Sequence, residues 1–308
     1  MDQWMTTLGM RTPIISAPMG GVAGGRLAVA VSAAGGLGMI GMGSAATLEA
    51  LERELALVPS GARVGIGLVN WVVDRRPELL ERALAARPAL LTMNFGDDLS
   101  WIERARSAST PTAVQVWDAT SIEAACDAGA DLLVARGREG GGHGPPVHDR
   151  DVVLELALTR AAQPVLAAGG VGARADVDHV LGLGAAGVWV GTAFAACHEA
   201  LSSPGERRAL FAARADDTVT TSLFDRVAGY AWPPEIPERV IANDFLARWS
   251  RRDDIDLAQA ARELKQAVAA DDPEGRPVNA GLGVDHLVGP ASAAEVVAAL
   301  APTRLAES

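Results

Sequence analysis

The sequence predicts an α/β protein: a (β/α)8 TIM barrel with a small, mainly helical insertion between its eighth strand and its last helix. Three observations lead there. Eight short apolar runs alternate with helix-like segments. The runs lack the polar–apolar alternation of a half-wetted sheet, as expected of parallel strands covered by helices. The alternation then stops after the eighth run, where a barrel would close. At 308 residues, 49% of them hydrophobic, the chain can bury one large core. A doubly wound open sheet is the competing architecture.

In chain order the predicted strands are Pro13–Ala17, Leu37–Gly41, Val64–Val69, Leu90–Asn94, Ala113–Trp117, Asp131–Ala135, Val165–Ala168 and Gly187–Val190. Between them, Arg26–Ala34, Leu48–Leu57, Pro77–Ala86, Leu99–Ser107, Ser121–Ala128 and Ala175–Leu183 suit helices. Pro77 fits a first helical turn, where its missing N–H costs nothing. Residues 196–289 hold helical stretches and the turn "GYAWPPEIPERV" but no further strand–helix cycle. Ala293–Leu300, "AAEVVAAL", reads as an amphipathic helix returning to close the barrel. The expected division is therefore a barrel of residues 1–195 plus 290–308, with 196–289 as a helical insertion or lid.

Composition narrows the function. A net charge of −11 and no basic block argue against nucleic acid as a partner. Cys126 and Cys197 are the only cysteines and are far apart, so neither a disulfide framework nor a zinc site is expected. No apolar stretch approaches the roughly 20 residues a membrane span needs, and the N-terminus lacks a basic leader, so a soluble cytoplasmic protein is expected. Lys265 is the only lysine and lies in a helical stretch, which excludes a Schiff-base barrel aldolase. The acidic pairs Asp216–Asp217, Asp253–Asp254 and Asp271–Asp272 read as solvated turns.

Barrel enzymes place their chemistry on loops at the C-terminal ends of strands, with phosphate after the seventh and eighth. Strand seven here ends in "AAGGVG", giving Gly169 and Gly170, and strand eight in "VGTAF", giving Gly191 and Thr192. Glycines let backbone N–H groups approach phosphate oxygens, and the Thr192 hydroxyl adds a donor. Tight turns without a ligand are the bland alternative. "GLGMIG", Gly36–Gly41, matches a dinucleotide fingerprint but follows a helix and runs into a strand, so a packing role is expected instead.

The loop after strand six, "RGREGGGHG", sets one imidazole, His143, among glycines that would let the chain pass close under a flat ligand. An imidazole there can act as a base at neutral pH; a surface histidine on a flexible loop is the alternative. His148 with Asp149 forms a conceivable metal pair without a third ligand, so no metal is expected. Asn70 and Gln115, at strand ends, suit the edge of a ring system or a satisfied core. His179, His198 and His286 read as structural.

The motifs "PIISAPMGG", "GGLGMIG", "GREGGGHG", "AAGGVG" and "VGTAF", in this order, resemble the nitronate monooxygenase family over roughly the first 200 residues. The resemblance continues more weakly through "VAGYAWPPEIPERVIANDF" and "NAGLGVDHLVGPASAAEVV". It implies a barrel that binds FMN. The phosphate would sit on Gly169–Gly170 and Gly191–Thr192, and the backbone of Ala17–Met19 would run along the flavin. Asn70 and Gln115 would lie near the ring or ribityl chain, beside the loop residues Gly141 and Gly142. His143 matches the family's catalytic histidine. Arg136 stands where members commonly carry Gln, which would add positive charge near the flavin or its phosphate.

The expected reaction is FMN-dependent oxidation of alkyl nitronates or small nitroalkanes by O2 to a carbonyl compound and nitrite. The expected partners are that small molecule and O2, with a homodimer left open. Tyr230 and Trp232 either line the substrate pocket or pack the core. One alternative is an FMN-dependent enoyl reductase using NAD(P)H. Another is a flavin- or phosphate-binding barrel without turnover. Chemistry like that of IMP dehydrogenase ranks lower, because no cysteine falls on a strand-end loop.

Overall fold

The apolar runs do become a barrel. The computed structural model describes residues 3–250 and 255–303, so Asp253–Asp254 lie outside the described residues. Strands β1 (Ile14–Ser16), β2 (Met39–Gly41), β3 (Gly65–Val69), β4 (Leu91–Asn94), β5 (Thr112–Val116) and β6 (Leu132–Arg136) lead to β7 (Gly142–His143), a two-residue strand outside the barrel. β8 (Val165–Ala168) and β9 (Gly187–Val190) complete the ring. The eight barrel strands are parallel, and β9 pairs with β1. The ring closes between β1 and β2 through one bridge, Ile15 to Leu37, with Leu37 N–H donating to Ile14 O and Ser16 N–H to Leu37 O at 3.0 Å each. An open doubly wound sheet is thereby ruled out.

Two cores hold the ring. The outer one, between strands and helices, includes Ile40, Ile66, Leu133 and Val188, all fully buried. The inner one fills the barrel with Ile15, Met39, Leu90 and Leu166, joined by Met5, Leu8 and Met10. Met5 and Leu8 come from an unpredicted helix, Gln3–Leu8, whose apolar side chains extend the barrel's inner core. A second unpredicted helix, Arg150–Arg160, links β6 to β8. Ala293–Leu300 packs against helices Gly25–Ala33 and Arg174–Gly182, the returning role expected of it.

The glycines of "GLGMIG" serve packing. A Cβ on Gly38 would land on the Ala28 carbonyl of helix Gly25–Ala33, and one on Gly41 would strike the backbone of Pro18 and Met19. Gly38→Ala should therefore destabilise the fold by about 1–3 kcal/mol through overpacking. A urea midpoint equal to wild type would refute that role for Gly38.

The insertion contains helices, as expected, and also strands. β10 (Thr218–Thr221) pairs antiparallel with β11 (Glu238–Ile241), and β11 pairs with β7. The insertion is thus hydrogen-bonded into the loop that carries His143. Its own small core includes Phe224, Val240, Phe245 and Trp249. Lys265 lies on its long helix, Leu257–Ala270. Asp271 is more than a solvated turn. It caps that helix at φ 53° and accepts from Gly205 N–H at 2.7 Å and from the Ser203 hydroxyl. No helix among the described residues is long and apolar enough to cross a membrane.

Candidate active site

A cavity of about 620 Å³ opens at the C-terminal ends of the barrel strands, between the barrel and the insertion. Its floor is set by close backbone approaches. After β1 the chain turns at Ala17–Met19, with Ala17 N–H donating to Val190 O at 2.8 Å and Met19 N–H to Ala17 O at 3.0 Å. Cβ atoms on Gly41 and Gly67 would strike Pro18, so these strand glycines make room for the turn.

One side of the cavity carries the two glycine turns. Gly169 and Gly170 adopt φ of 109° and 68°, values costly for other residues. The N–H groups of Gly170, Gly191 and Thr192 have no acceptor among the described residues. A Cβ on Gly191 would make only ordinary contacts, with Met19 Sδ at 3.6 Å and Ala17 Cβ at 3.7 Å. The Thr192 hydroxyl accepts from Gly281 N–H at 3.0 Å, leaving its own hydrogen available. These turns form a cradle of unsatisfied donors suited to an anion.

Gln115 lines the same cavity, and its carboxamide has no partner among the described residues. Its backbone N–H donates to Asn94 Oδ1 at 2.9 Å, while Asn94 Nδ2 donates to Thr92 at 2.7 Å. Asn70 departs from the expected arrangement. It is buried at the start of helix Asn70–Val73 and donates to the Asp98 carbonyl at 2.9 Å, off the cavity wall. Asn94, two residues beyond Thr92 on β4, takes the position facing the cavity.

The glycine-rich loop is explained mostly by its neighbours. Arg136 is buried, and its Nη2 donates to the carbonyls of Gly140, Gly141 and Gly142 at 3.1, 3.3 and 3.1 Å. A Cβ on Gly144 would land on that guanidinium, and one on Gly141 would lie 2.6 Å from Gly281 N. Gly142, at φ 69°, is the one that opens on space, with only Asn279 at 4.0 Å. Arg136 borders the cavity, but its guanidinium is committed to shaping the loop rather than offered as a free charge. Burial pushes it down to about 10, with Arg239 adding to that and Glu139 opposing it, so it stays charged at neutral pH.

His143 stands at the cavity wall, held from three directions. Its Nε2 shares a 2.8 Å hydrogen bond with Asp225 Oδ2, from helix Leu223–Ala228. Its ring stacks on Trp232 with centroids 3.5 Å apart and planes 7° from parallel. In the β7–β11 pair its partner is Glu238. Donation of Nε2–H to Asp225 leaves Nδ1 as the ring's free lone pair, the tautomer logic of a catalytic triad. Trp232 Nε1 in turn donates to Ser44 at 2.8 Å, tying the insertion across the barrel mouth. Phe95, Trp71 and Tyr230 complete an aromatic wall around it. Tyr230 and Trp232 therefore both line the cavity, and Trp232 also packs against the barrel core, whereas Tyr230 is exposed.

Glu238 is 4% exposed and accepts from Asn279 Nδ2 at 2.8 Å. Burial pushes its carboxyl up to about 7; His143 and the Asn279 amide pull against this and Asp225 adds to it. One ring nitrogen of His143 and one carboxylate oxygen each of Asp225 and Glu238 lie within 4.8 Å of one another. The remaining histidines serve elsewhere. His179 meets Asp151 at 2.7 Å and His286 meets Asp176 at 3.7 Å. Asp149, next to His148, pairs with Arg138. Asp225, Glu238 and Asn94 were not singled out from sequence. The only hint for Glu238 was an alternating segment, Glu238–Ile241, with an acid on its buried side.

Comparison with known proteins gives the family and the fold. Residues 70–303 match the family model described as nitronate monooxygenase. A nitronate monooxygenase of Pseudomonas aeruginosa is 32% identical, the match covering 71% of this chain and 76% of that one. The nitronate monooxygenase npaC of Metarhizium robertsii is 34% identical, covering 75% and 72%. The structure of a nitroalkane oxidase from Streptomyces ansochromogenes superposes with a TM-score of 0.78 at 26% identity over 98% of both chains. FabK from Thermotoga maritima superposes at 0.84 with 23% identity, over 97% of this chain and 94% of that one, a likeness of fold.

Proposed function

Because this chain belongs to the nitronate monooxygenase family, we propose that it is an FMN-dependent oxidoreductase converting alkyl nitronates or small nitroalkanes and O2 to a carbonyl compound and nitrite. The observation that carries this reading is the pairing of a fixed imidazole with an anion cradle across one cavity: His143, bound to Asp225 and stacked on Trp232, and the free N–H groups of Gly170, Gly191 and Thr192. The cradle fits a phosphate held by neutral donors, and the unpartnered Gln115 carboxamide fits a polar ring edge. Gly142 leaves open space beside His143, and the Ala17–Met19 backbone offers a surface for a planar group. Bound FMN supplies the electron acceptor that no side chain here provides.

The chain's own residues do the rest. His143 takes the α-proton of a neutral nitroalkane, or hydrogen-bonds an anionic nitronate. Asp225 orients the ring and stabilises the imidazolium. Trp232, Phe95 and Tyr230 exclude water from the reacting side.

The test uses purified protein. An oxidised-flavin spectrum with stoichiometric FMN is expected, and anaerobic addition of an alkyl nitronate should bleach it. Bleaching by NADH or NADPH and not by nitronate would overturn the reading in favour of a reductase. Protein that binds no flavin would overturn it altogether.

A further inference from the structure

Two buried carboxylates stand beside one imidazole, and no arginine or lysine side chain among the described residues pairs with either. Asp225 is 5% exposed, and Glu238 4%. Among the described residues the Asp225 carboxylate pairs with His143 alone, and Glu238 receives one bond, from the neutral Asn279 amide. Arg239, next along β11, donates instead to the Arg138 carbonyl and the Thr218 hydroxyl. The titratable groups facing Glu238 are thus His143 from β7 and Asp225 from helix Leu223–Ala228. Burying two carboxylate charges this close is costly unless one is neutralised. The cluster therefore favours one shared excess proton, whose position depends on whether the imidazole is charged.

We propose that Glu238 is a positioning residue that balances the charge of His143, releasing its own proton to water as the imidazole takes one from the substrate. This rests on the proposed reaction. The bookkeeping is closed: the substrate C–H bond breaks and an N–H bond forms on His143, while the Glu238 O–H bond breaks and its proton leaves. The electron pair of the C–H bond stays with the substrate as the nitronate. The buried cluster has the same net charge before and after, so the base works without creating a new buried charge. A preformed nitronate needs no such transfer.

That difference gives the test. Glu238→Gln is nearly isosteric, keeps a carbonyl for Asn279 and cannot release a proton. In the holoenzyme, its loss of kcat should be at least about ten-fold greater on a neutral nitroalkane than on the matching nitronate, a part of the roughly 10²–10⁴-fold that general-base catalysis contributes. The pH profile for the neutral substrate should also lose a limb near pH 7. Equal losses on both substrates, or an unmoved profile, would overturn the proposal. A second measurement is independent of turnover. With 13C-carboxyl-labelled glutamate, the resonance that disappears in Glu238→Gln should titrate near 7 in wild type and move upward in His143→Asn. An unmoved midpoint would also overturn the proposal. If wild type turns over neither substrate, the proposed reaction fails, while the carboxyl titration still decides the coupling.

Discussion

His143→Asn should lower turnover of a neutral nitroalkane by about 10²–10⁴-fold, the usual contribution of a general base, while losing much less on the preformed nitronate. Asn keeps a side-chain amide near Asp225 but has no basic nitrogen. It also loses the parallel contact with Trp232, whose other anchor, the bond to Ser44, remains. The two substrates separate these effects. Proton abstraction is needed only for the neutral one, whereas cavity shape matters to both. Partial recovery on adding free imidazole would mark the defect as a missing base. Unchanged turnover of neutral nitroalkane would remove His143 from that role, and equal loss on both substrates would assign it to shape alone.

The barrel was legible because its physics is local. Strands buried on both faces must be largely apolar, and all eight barrel strands lie within two residues of the predicted runs, β8 and β9 coinciding. Helix Arg150–Arg160 was hidden for an opposite reason. Its apolar residues include Val152 and Val153 side by side, its amphipathic stripe is weak, and Asp149 makes no side-chain cap. β7 is a Gly-His dipeptide with no strand propensity of its own, and it forms only because β11 arrives from nearly a hundred residues away. The site divides in the same way. His143 stands out because an imidazole among glycines is unusual. Asp225 and Glu238 are two of 38 acids, and their meaning comes from a tertiary pairing that no spacing encodes. Arg136 was expected to offer charge to a ligand; that its hydrogen bonds turn back onto its own loop depends on a rotamer, which sequence does not specify.

Arg136→Met should cost about 3–5 kcal/mol of stability, the range for breaking a buried charged hydrogen-bond cluster, and lower Tm by roughly 10 °C for a domain of this size. The guanidinium is the object around which the loop is folded. It gathers the Gly140, Gly141 and Gly142 carbonyls, and Gly144 lacks the Cβ that would collide with it. Met matches its apolar stem but leaves those carbonyls with no donor. A term of opposite sign exists, since removing a buried charge recovers desolvation, and burial already depresses this group to about 10. That relief makes the net loss smaller than three separate charged bonds would suggest. The functional consequence follows from the next residues in the chain. Gly142 and His143 are β7, so a loosened loop moves the imidazole away from both Asp225 and Glu238. Arg136→Met should therefore lose flavin more readily and turn over more slowly even at temperatures where it stays folded. Arg136→Gln, which retains one amide donor group, should fall between Met and wild type in both respects. If Arg136→Met melts with wild type and keeps its flavin, the loop is held by its contacts with Ala280–Gly281 instead, and the guanidinium's carbonyl bonds contribute little.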